Sequence, residues 1–440
     1  MSPSALLLLA VLAPVDASPP ARAVSYDTLT VAQCAELAAR NAPEVLSARA
    51  EARAAAYDSS AVAANGRPGL ALAVGGLVAP EGFYDPVVTN LGEYHAKVVL
   101  DWPLADGGAR RRARRSAALI AQGSRLDAAT AARDATLRAI AVALDLVRAD
   151  ELRALHVDAE SWLDDLGLLV ESGVRSGRRG RADAVRVALE HDAAEAAELT
   201  TEGARGALAR ELAGLVGRAG DTPLAVRVPG AEVAGPPEPA DSVALLARME
   251  ASPDVRRALT EAALLRVAVE DARSKRALEV GIVADAGLWG ADLSHAVPPD
   301  LASSHPGATF GDRLRRDLGA SIALEFRRPL TDPARGASIL ARGATLEAAQ
   351  WRRSALIAGH RRAALDLIER GRTASAQLAL AQASTERAEE NVLRLRSLYA
   401  GGGVGLLELL DARRQLDDAR TRLADARFEA HRAHFETEAL

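Results

Sequence analysis

The sequence predicts a mainly α-helical protein with a minor β component, in which a long coiled-coil hairpin and a pair of strands are laid out twice along one chain, four strands in all. Two stretches of about 65 residues, over 107–171 and 335–399, keep an apolar helical periodicity without a proline. Each runs into a glycine-bearing turn and a returning helix. The first turn reads Val174-Arg-Ser-Gly177-Arg-Arg-Gly180-Arg-Ala-Asp183, and the second Tyr399-Ala-Gly-Gly-Gly-Val-Gly-Leu-Leu-Glu-Leu-Leu-Asp411. Gly177 and Gly180 match Gly402 and Gly405 at a spacing of about 225 positions, and Asp183 matches Glu408, which marks an internal duplication.

Residues 1–23 have the pattern of an export signal: an apolar run from Ala5 to Ala13, then small residues and Ala21-Arg22-Ala23 as a cleavage site, although the leading segment lacks a positive side chain. A first repeat spans 24–218. Thr30 to Asn65 is helical in period, broken at Asn41-Ala-Pro43, where proline starts a new segment. Leu70, Leu72, Val74 and Val78 then alternate along a strand, and a loop rich in Gly, Pro, Asp and Asn runs to about Gly92. In the next strand Tyr94, Ala96, Val98, Leu100 and Trp102 face one way and His95, Lys97, Val99 and Asp101 the other, with Pro103 closing it. A continuous helix over 107–171 would be roughly 100 Å long, more than a compact domain needs. The returning helix runs to about Val216. Pro223, Pro229, Pro236, Pro237 and Pro239 mark a linker over 219–241.

The second repeat, 242–440, keeps the same order. Ser252-Pro253-Asp254-Val255 echoes Ala42-Pro43-Glu44-Val45 and opens a helix to about Arg276. Leu278, Val280, Ile282, Ala284, Ala286 and Leu288 alternate with Glu279, Gly281, Val283, Asp285 and Gly287, and Trp289 ends that strand. A polar loop with Pro298, Pro299 and Pro306 leads to Leu318, Ala320, Ile322, Leu324 and Phe326, alternating with Asp317, Gly319, Ser321, Ala323 and Glu325; Pro329 closes the strand. Beyond the second tip, Leu409, Ala412, Leu416, Ala419, Leu423, Ala426, Ala430 and Ala433 form a heptad seam whose alanines admit a close neighbour helix.

Composition narrows the function. Hydrophobic residues at 49% and charged residues at 26% exclude general disorder, and aromatics at 3% suit helix packing better than a thick globular core. A net charge of −5 gives no global case for nucleic acid, and Cys34, the only cysteine, excludes an intrachain disulfide or a Cys-based zinc site. No later segment has the roughly 18 continuous apolar residues of a spanning helix, so an exported chain that crosses a membrane does so through strands. The glycine cluster lacks the Lys-Ser or Lys-Thr of a phosphate loop, the eight histidines form no His-Glu-x-x-His helix, and no nucleophile has a base; no catalytic residue, metal or cofactor is expected. The basic run Arg110-Arg-Arg-Ala-Arg-Arg115 begins a helix just after a strand and has no aromatic interleaving, which suits lipid headgroups or acidic side chains rather than nucleic acid.

The order helix, two strands, long helix, glycine tip and returning helix, twice over, resembles the TolC-like outer-membrane efflux channel family across nearly the whole mature chain. The two tips and Asp101-Trp-Pro-Leu-Ala-Asp-Gly-Gly108 carry the resemblance most specifically. It implies a homotrimer in which each chain gives four strands to a twelve-stranded outer-membrane barrel, with the helices continuing as a periplasmic tunnel. It also implies a periplasmic adaptor and an inner-membrane pump as partners. Strand physics agrees, since four strands of about ten residues cannot close a water-filled barrel alone and oligomerisation removes the open edges. In such a barrel the Leu318 to Phe326 face meets lipid, Asp317, Ser321 and Glu325 line water, and Trp102, Trp289 and Phe326 suit an interfacial girdle. The rival expectations are a soluble periplasmic coiled-coil adaptor and an envelope hydrolase.

The resemblance also assigns the tips. Glu408 and Asp411, three apart on one helix face, would form an acidic selectivity ring at the entrance; the plainer alternative is that they complement the helix dipole. Tyr399 and Asp183 would hold the entrance shut, and Gly177, Gly180, Gly402 and Gly405 would shape the turns that dock the adaptor. Where family members carry an arginine in the second tip, this chain has Val404, so closure would use fewer polar links or draw on Arg178, Arg179 and Arg181.

Overall fold

The structure, a computed structural model, describes residues 27–77, 93–220, 224–228, 239–275, 277–291 and 295–439. The expected export signal, Val78, Arg276 and four of the linker prolines (Pro223, Pro229, Pro236 and Pro237) lie outside the described residues.

In chain order, β1 (Asp27–Thr30), α1 (Val31–Asn41) and α2 (Pro43–Ala64) lead to β2 (Gly69–Leu77) and β3 (Glu93–Asp106). The first hairpin is α3 (Ala109–Arg175) and α4 (Arg181–Val216), followed by β4 (Leu224–Arg227). The second half runs α5 (Pro239–Glu250), α6 (Pro253–Ser274), β5 (Glu279–Ala291), α7 (Pro299–Ser304), α8 (Phe310–Asp317) and β6 (Leu318–Arg327), then the hairpin α9 (Arg335–Ala400) and α10 (Leu406–Ala439). The two long helices are unbroken at 67 and 66 residues, as their proline-free periodicity predicts. Pro43 and Pro253 open α2 and α6, where a missing amide costs nothing.

The described residues fold into two compact units, and each draws on both repeats: one takes those within 27–37, 139–228 and 380–428, the other those within 38–138, 239–379 and 429–439. In the first, β1 pairs in parallel with β4, from Asp27 opposite Leu224 to Thr30 opposite Arg227. Thr30 and Gln33 form a capping box that launches α1. This small sheet was not legible, because its strands are four residues each and β4 lies in the stretch read as linker. Along α10 the seam is buried at Leu409, Ala412, Leu416, Ala419, Ala426, Ala430 and Ala433, while at Leu423 the burial moves to the neighbouring Ala424.

The second unit holds an antiparallel sheet in the order β2-β3-β5-β6, joining the two repeats at β3 and β5. Register sorts its faces. Leu70, Leu72 and Val74 pair with Leu100, Val98 and Ala96; these pair with Ala284, Ala286 and Leu288, and these in turn with Ile322, Ala320 and Leu318. One face is therefore apolar across all four strands, and Leu70, Leu72, Val74, Ile322 and Phe326 on it are exposed. The opposite face is wetter: Lys97 lies 3.7 Å from Asp285, which also accepts a hydrogen bond from Ser321 Oγ. Among the described residues no strand pairs with the outer sides of β2 and β6.

Three details correct the expectations. Pro103 does not end β3; the strand bulges at Leu104 and pairs on to Asp106, the bulge accommodating a proline that has no amide to donate. Trp289 does not end β5, which runs to Ala291. Asp317 does not belong to β6. It closes α8, a helix started by a Thr309–Asp312 capping box within the stretch read as polar loop. Asp317 is buried there, accepting from Arg316 at 3.1 Å, Arg313 at 3.3 Å and the Tyr94 hydroxyl, so Ser321 and Glu325 alone remain of the expected water-facing acids and hydroxyl.

Candidate functional site

The helical tips belong to the first unit and are closed by one motif used twice. At the first tip, Gly177 has φ +70°, its amide donates to the Val174 carbonyl at 3.0 Å, and the Arg178 amide reaches Gly173 at 2.9 Å. At the second, Gly402 has φ +80°, its amide donates to Tyr399 at 3.1 Å, and the Gly403 amide reaches Leu398 at 2.8 Å. Both are Schellman caps, in which a left-handed glycine lets two amides satisfy the last helical carbonyls. Gly401, Gly403 and Gly405 do not need positive φ, and Gly180 is an extended N-cap to α4.

Behind the tips, Tyr399 is fully buried among Leu163, Leu166, Val170, Val187, Leu406, Leu409 and Leu410. The Arg179 guanidinium lies 3.5 Å from its ring centroid, and Arg179 Nη2 donates to the Tyr399 carbonyl at 2.8 Å. The Tyr399 hydroxyl is buried with no hydrogen-bond partner among the described residues, and the expected link to Asp183 is not made. Burial raises the hydroxyl's pKa, with Arg179 opposing and Asp183, half-buried in the first turn of α4, adding to the rise. Arg179, one of the three arginines proposed as substitutes for the position taken by Val404, thus makes a polar link between the tips. Gly173 makes room for it: a Cβ there would meet the Arg179 stem at 2.8 Å.

Glu408 and Asp411 are exposed on one face of the first turns of α10, and Gln415 Nε2 donates to Asp411 at 2.9 Å. Beneath them is a polar lattice that the sequence reading missed. Buried Arg413 bonds Asp417 at 2.9 and 3.0 Å and Asp158 at 3.0 Å, with its guanidinium 5.0 Å from the Trp162 ring. Arg420 joins Asp158 at 2.7 Å to Glu389 at 2.9 Å. Burial pushes the Asp417 carboxyl above its usual range despite Arg413. The four-residue spacing of Arg413 and Asp417 was the available signal.

Among the described residues one group brings metal-ligand atoms within 4.8 Å of one another, His191, Asp192 and Glu195 on α4. Asp192 and Glu195 are exposed, and His191 Nε2 already faces Asp164 at 3.3 Å.

Of the expected girdle residues in the second unit, Trp102 and Phe326 share the apolar face near its helical end, paired with Ile282 and Val280. Trp289 is on the opposite face, opposite His95, with its ring over Gly319. One residue of register separates the two faces, which strand-end position alone does not resolve.

Solved structures share this fold. The outer membrane protein VceC of Vibrio cholerae superimposes with a TM-score of 0.73 at 17% identity, over 93% of this chain and 95% of that one. The chain has the fold of outer-membrane channels. The CmeC outer membrane channel of Campylobacter jejuni gives 0.73 at 14% identity, over 93% and 84% of the two chains. The MtrE outer membrane channel of Neisseria gonorrhoeae, solved in its open state, gives 0.68 at 17%, over 93% and 88%. No protein-family model and no curated protein matches the sequence.

Proposed function

We propose that the protein is an outer-membrane channel subunit, three copies of which build a barrel and a periplasmic tunnel that serve as the passive exit duct of a tripartite efflux pump or type I secretion system. A periplasmic adaptor would dock at the tips and an inner-membrane pump would supply the cargo. The observation that carries this reading is the four-stranded sheet, apolar across one whole face and, among the described residues, unpaired at both edges, joined in one chain to two long hairpins. A soluble adaptor has no use for such a face, because exposed leucine and isoleucine across four strands would aggregate in water. Trp102 and Phe326 form the girdle in this reading, and Trp289 belongs to the lumen side.

Glu408 and Asp411, exposed on one face of α10, form two carboxylate rings at the entrance in a trimer and favour cations. The test is single-channel conductance of the purified protein in a planar bilayer beside Glu408→Ala, Asp411→Ala. Small cation-preferring pores, with the preference lost in the variant, support the channel and the ring. Pores of unchanged selectivity remove the ring, and a well-folded protein that never inserts removes the channel.

A further inference from the structure

The basic run at the start of α3 plays no part in the tips. Arg110 and Arg112 are used locally: Arg110 bonds Asp106 at 2.8 Å, and Arg112 bonds Asp271 at 3.1 Å and the Gly107 carbonyl at 2.9 Å. Arg111 and Arg114 are exposed and pair with no carboxylate among the described residues, and the same holds for Arg273 and Lys275 at the end of α6. Arg111, Arg112 and Arg115 line a cleft of about 460 Å³ with Glu270 and Ser274. Its single carboxylate is engaged by Arg115 at 3.7 Å.

The position of this surplus matters. α3 begins three residues after β3 ends and α6 stops five residues before β5 starts, so both helix ends flank the limit of the apolar face at Trp102 and Val280. The carboxylates of these strand ends, Asp101, Glu279 and Glu325, fall on the opposite face of the sheet. At the loop end the balance differs: Arg313 has Asp317, Arg316 has Asp300 and Asp317, and Arg315 has Asp312 at 3.8 Å. Unneutralised cations thus collect at one margin of the apolar face.

We propose that this margin, centred on Arg111, Arg114, Arg273 and Lys275, binds the phosphate headgroups of anionic phospholipid in the leaflet at the helical end of the sheet. The inference rests on the membrane reading of that face. Continuity with the apolar face places the guanidinium groups at headgroup depth, where the girdle pair Trp102 and Phe326 also lies. Guanidinium is planar, always charged and able to take two phosphate oxygens at once, which suits it to a phosphodiester better than to water. The cleft between α3 and α6 gives such a headgroup a seat with walls on both sides.

The experiment is native mass spectrometry of the detergent-purified full-length protein exposed to equimolar phosphatidylglycerol and phosphatidylcholine of matched chains, beside Arg111→Gln, Arg114→Gln, Arg273→Gln and the corresponding triple lysine variant. The wild type is expected to retain phosphatidylglycerol preferentially. The glutamine variant should lose at least about tenfold of that preference, since each cation near a lipid surface is worth roughly fivefold, and the lysine variant should keep most of it. Equal retention of both lipids by the wild type, or an undiminished preference in the glutamine variant with its circular dichroism intact, overturns the proposal. Conductance in bilayers of either lipid separates the two readings: pores without lipid preference defeat the headgroup surface alone, and failure to insert in both lipids defeats the membrane face with it.

Discussion

Replacing Arg179 by alanine tests whether one side chain ties the two tips. It removes a guanidinium 3.5 Å from the Tyr399 centroid and a 2.8 Å hydrogen bond to the Tyr399 carbonyl. A cation over a partly desolvated ring is worth about 1–2 kcal/mol, and a charged donor on a carbonyl about 1.5–3 kcal/mol. Arg179 is half-exposed and solvent screens part of this, and the carbonyl keeps its bond from the Gly402 amide, so the expected net loss is about 2 kcal/mol. The loss is local, because Gly173 and the Schellman turns persist. At 1.4 kcal/mol per decade, local opening rises about 30-fold. Hydrogen exchange read by mass spectrometry should show this acceleration in peptides covering 172–182 and 395–410, and none over 255–270. Arg179→Lys, which keeps the charge without the planar fork, should fall between. Exchange in the tip peptides within about threefold of wild type, or an acceleration spread evenly over the chain, would refute the reasoning.

Other substitutions probe the remaining features. Tyr399→Phe removes a buried hydroxyl that has no hydrogen-bond partner among the described residues and should be neutral or stabilising by up to about 1 kcal/mol in thermal unfolding, whereas a clear loss would mean that the hydroxyl does bond, with Arg179 the first suspect. The Asp417 carboxyl is raised in the fold, so its stabilising contribution is full below the ordinary value of 3.8 and lost as pH rises through the folded value. Asp417→Asn should therefore gain stability relative to wild type between pH 4 and pH 7 in urea melts, and the opposite trend would show that Arg413 outweighs burial. Leu72→Arg puts a charge on the apolar face and should cost about 2–4 kcal/mol of membrane stability, blocking insertion into vesicles, while Ala73→Glu, across from Lys97, should insert normally. Equal behaviour of the two would remove the distinction between the faces.

Much of the fold is legible because the signals are local and repeated. Proline-free helical periodicity gives α3 and α9 almost to their ends, and period-two alternation gives the apolar face of β3, β5 and β6. Glycine spacing finds both tips, since a left-handed Gly177 or Gly402 is a demand of its own few residues. What escaped is of two kinds. β1 and β4 are too short to show a period, and α8 depends on a capping box inside a stretch that reads as loop. The Arg179–Tyr399 stack and the Arg413 lattice join residues more than 200 positions apart, for which no pattern in the chain substitutes.

The sequence by itself determined the order of elements, the duplication, and which residues are small, apolar or charged along each helix and strand. Those properties follow from backbone sterics and side-chain period over a few residues. Only the tertiary structure decided that Arg179 takes the place expected of Asp183 beside Tyr399, that Trp289 faces away from Trp102 and Phe326, and that Asp317 is buried in a helix cap instead of lining water. Each of these turns on register or on packing between distant segments, where a shift of one residue reverses a face and the energies compared differ by only a few kcal/mol.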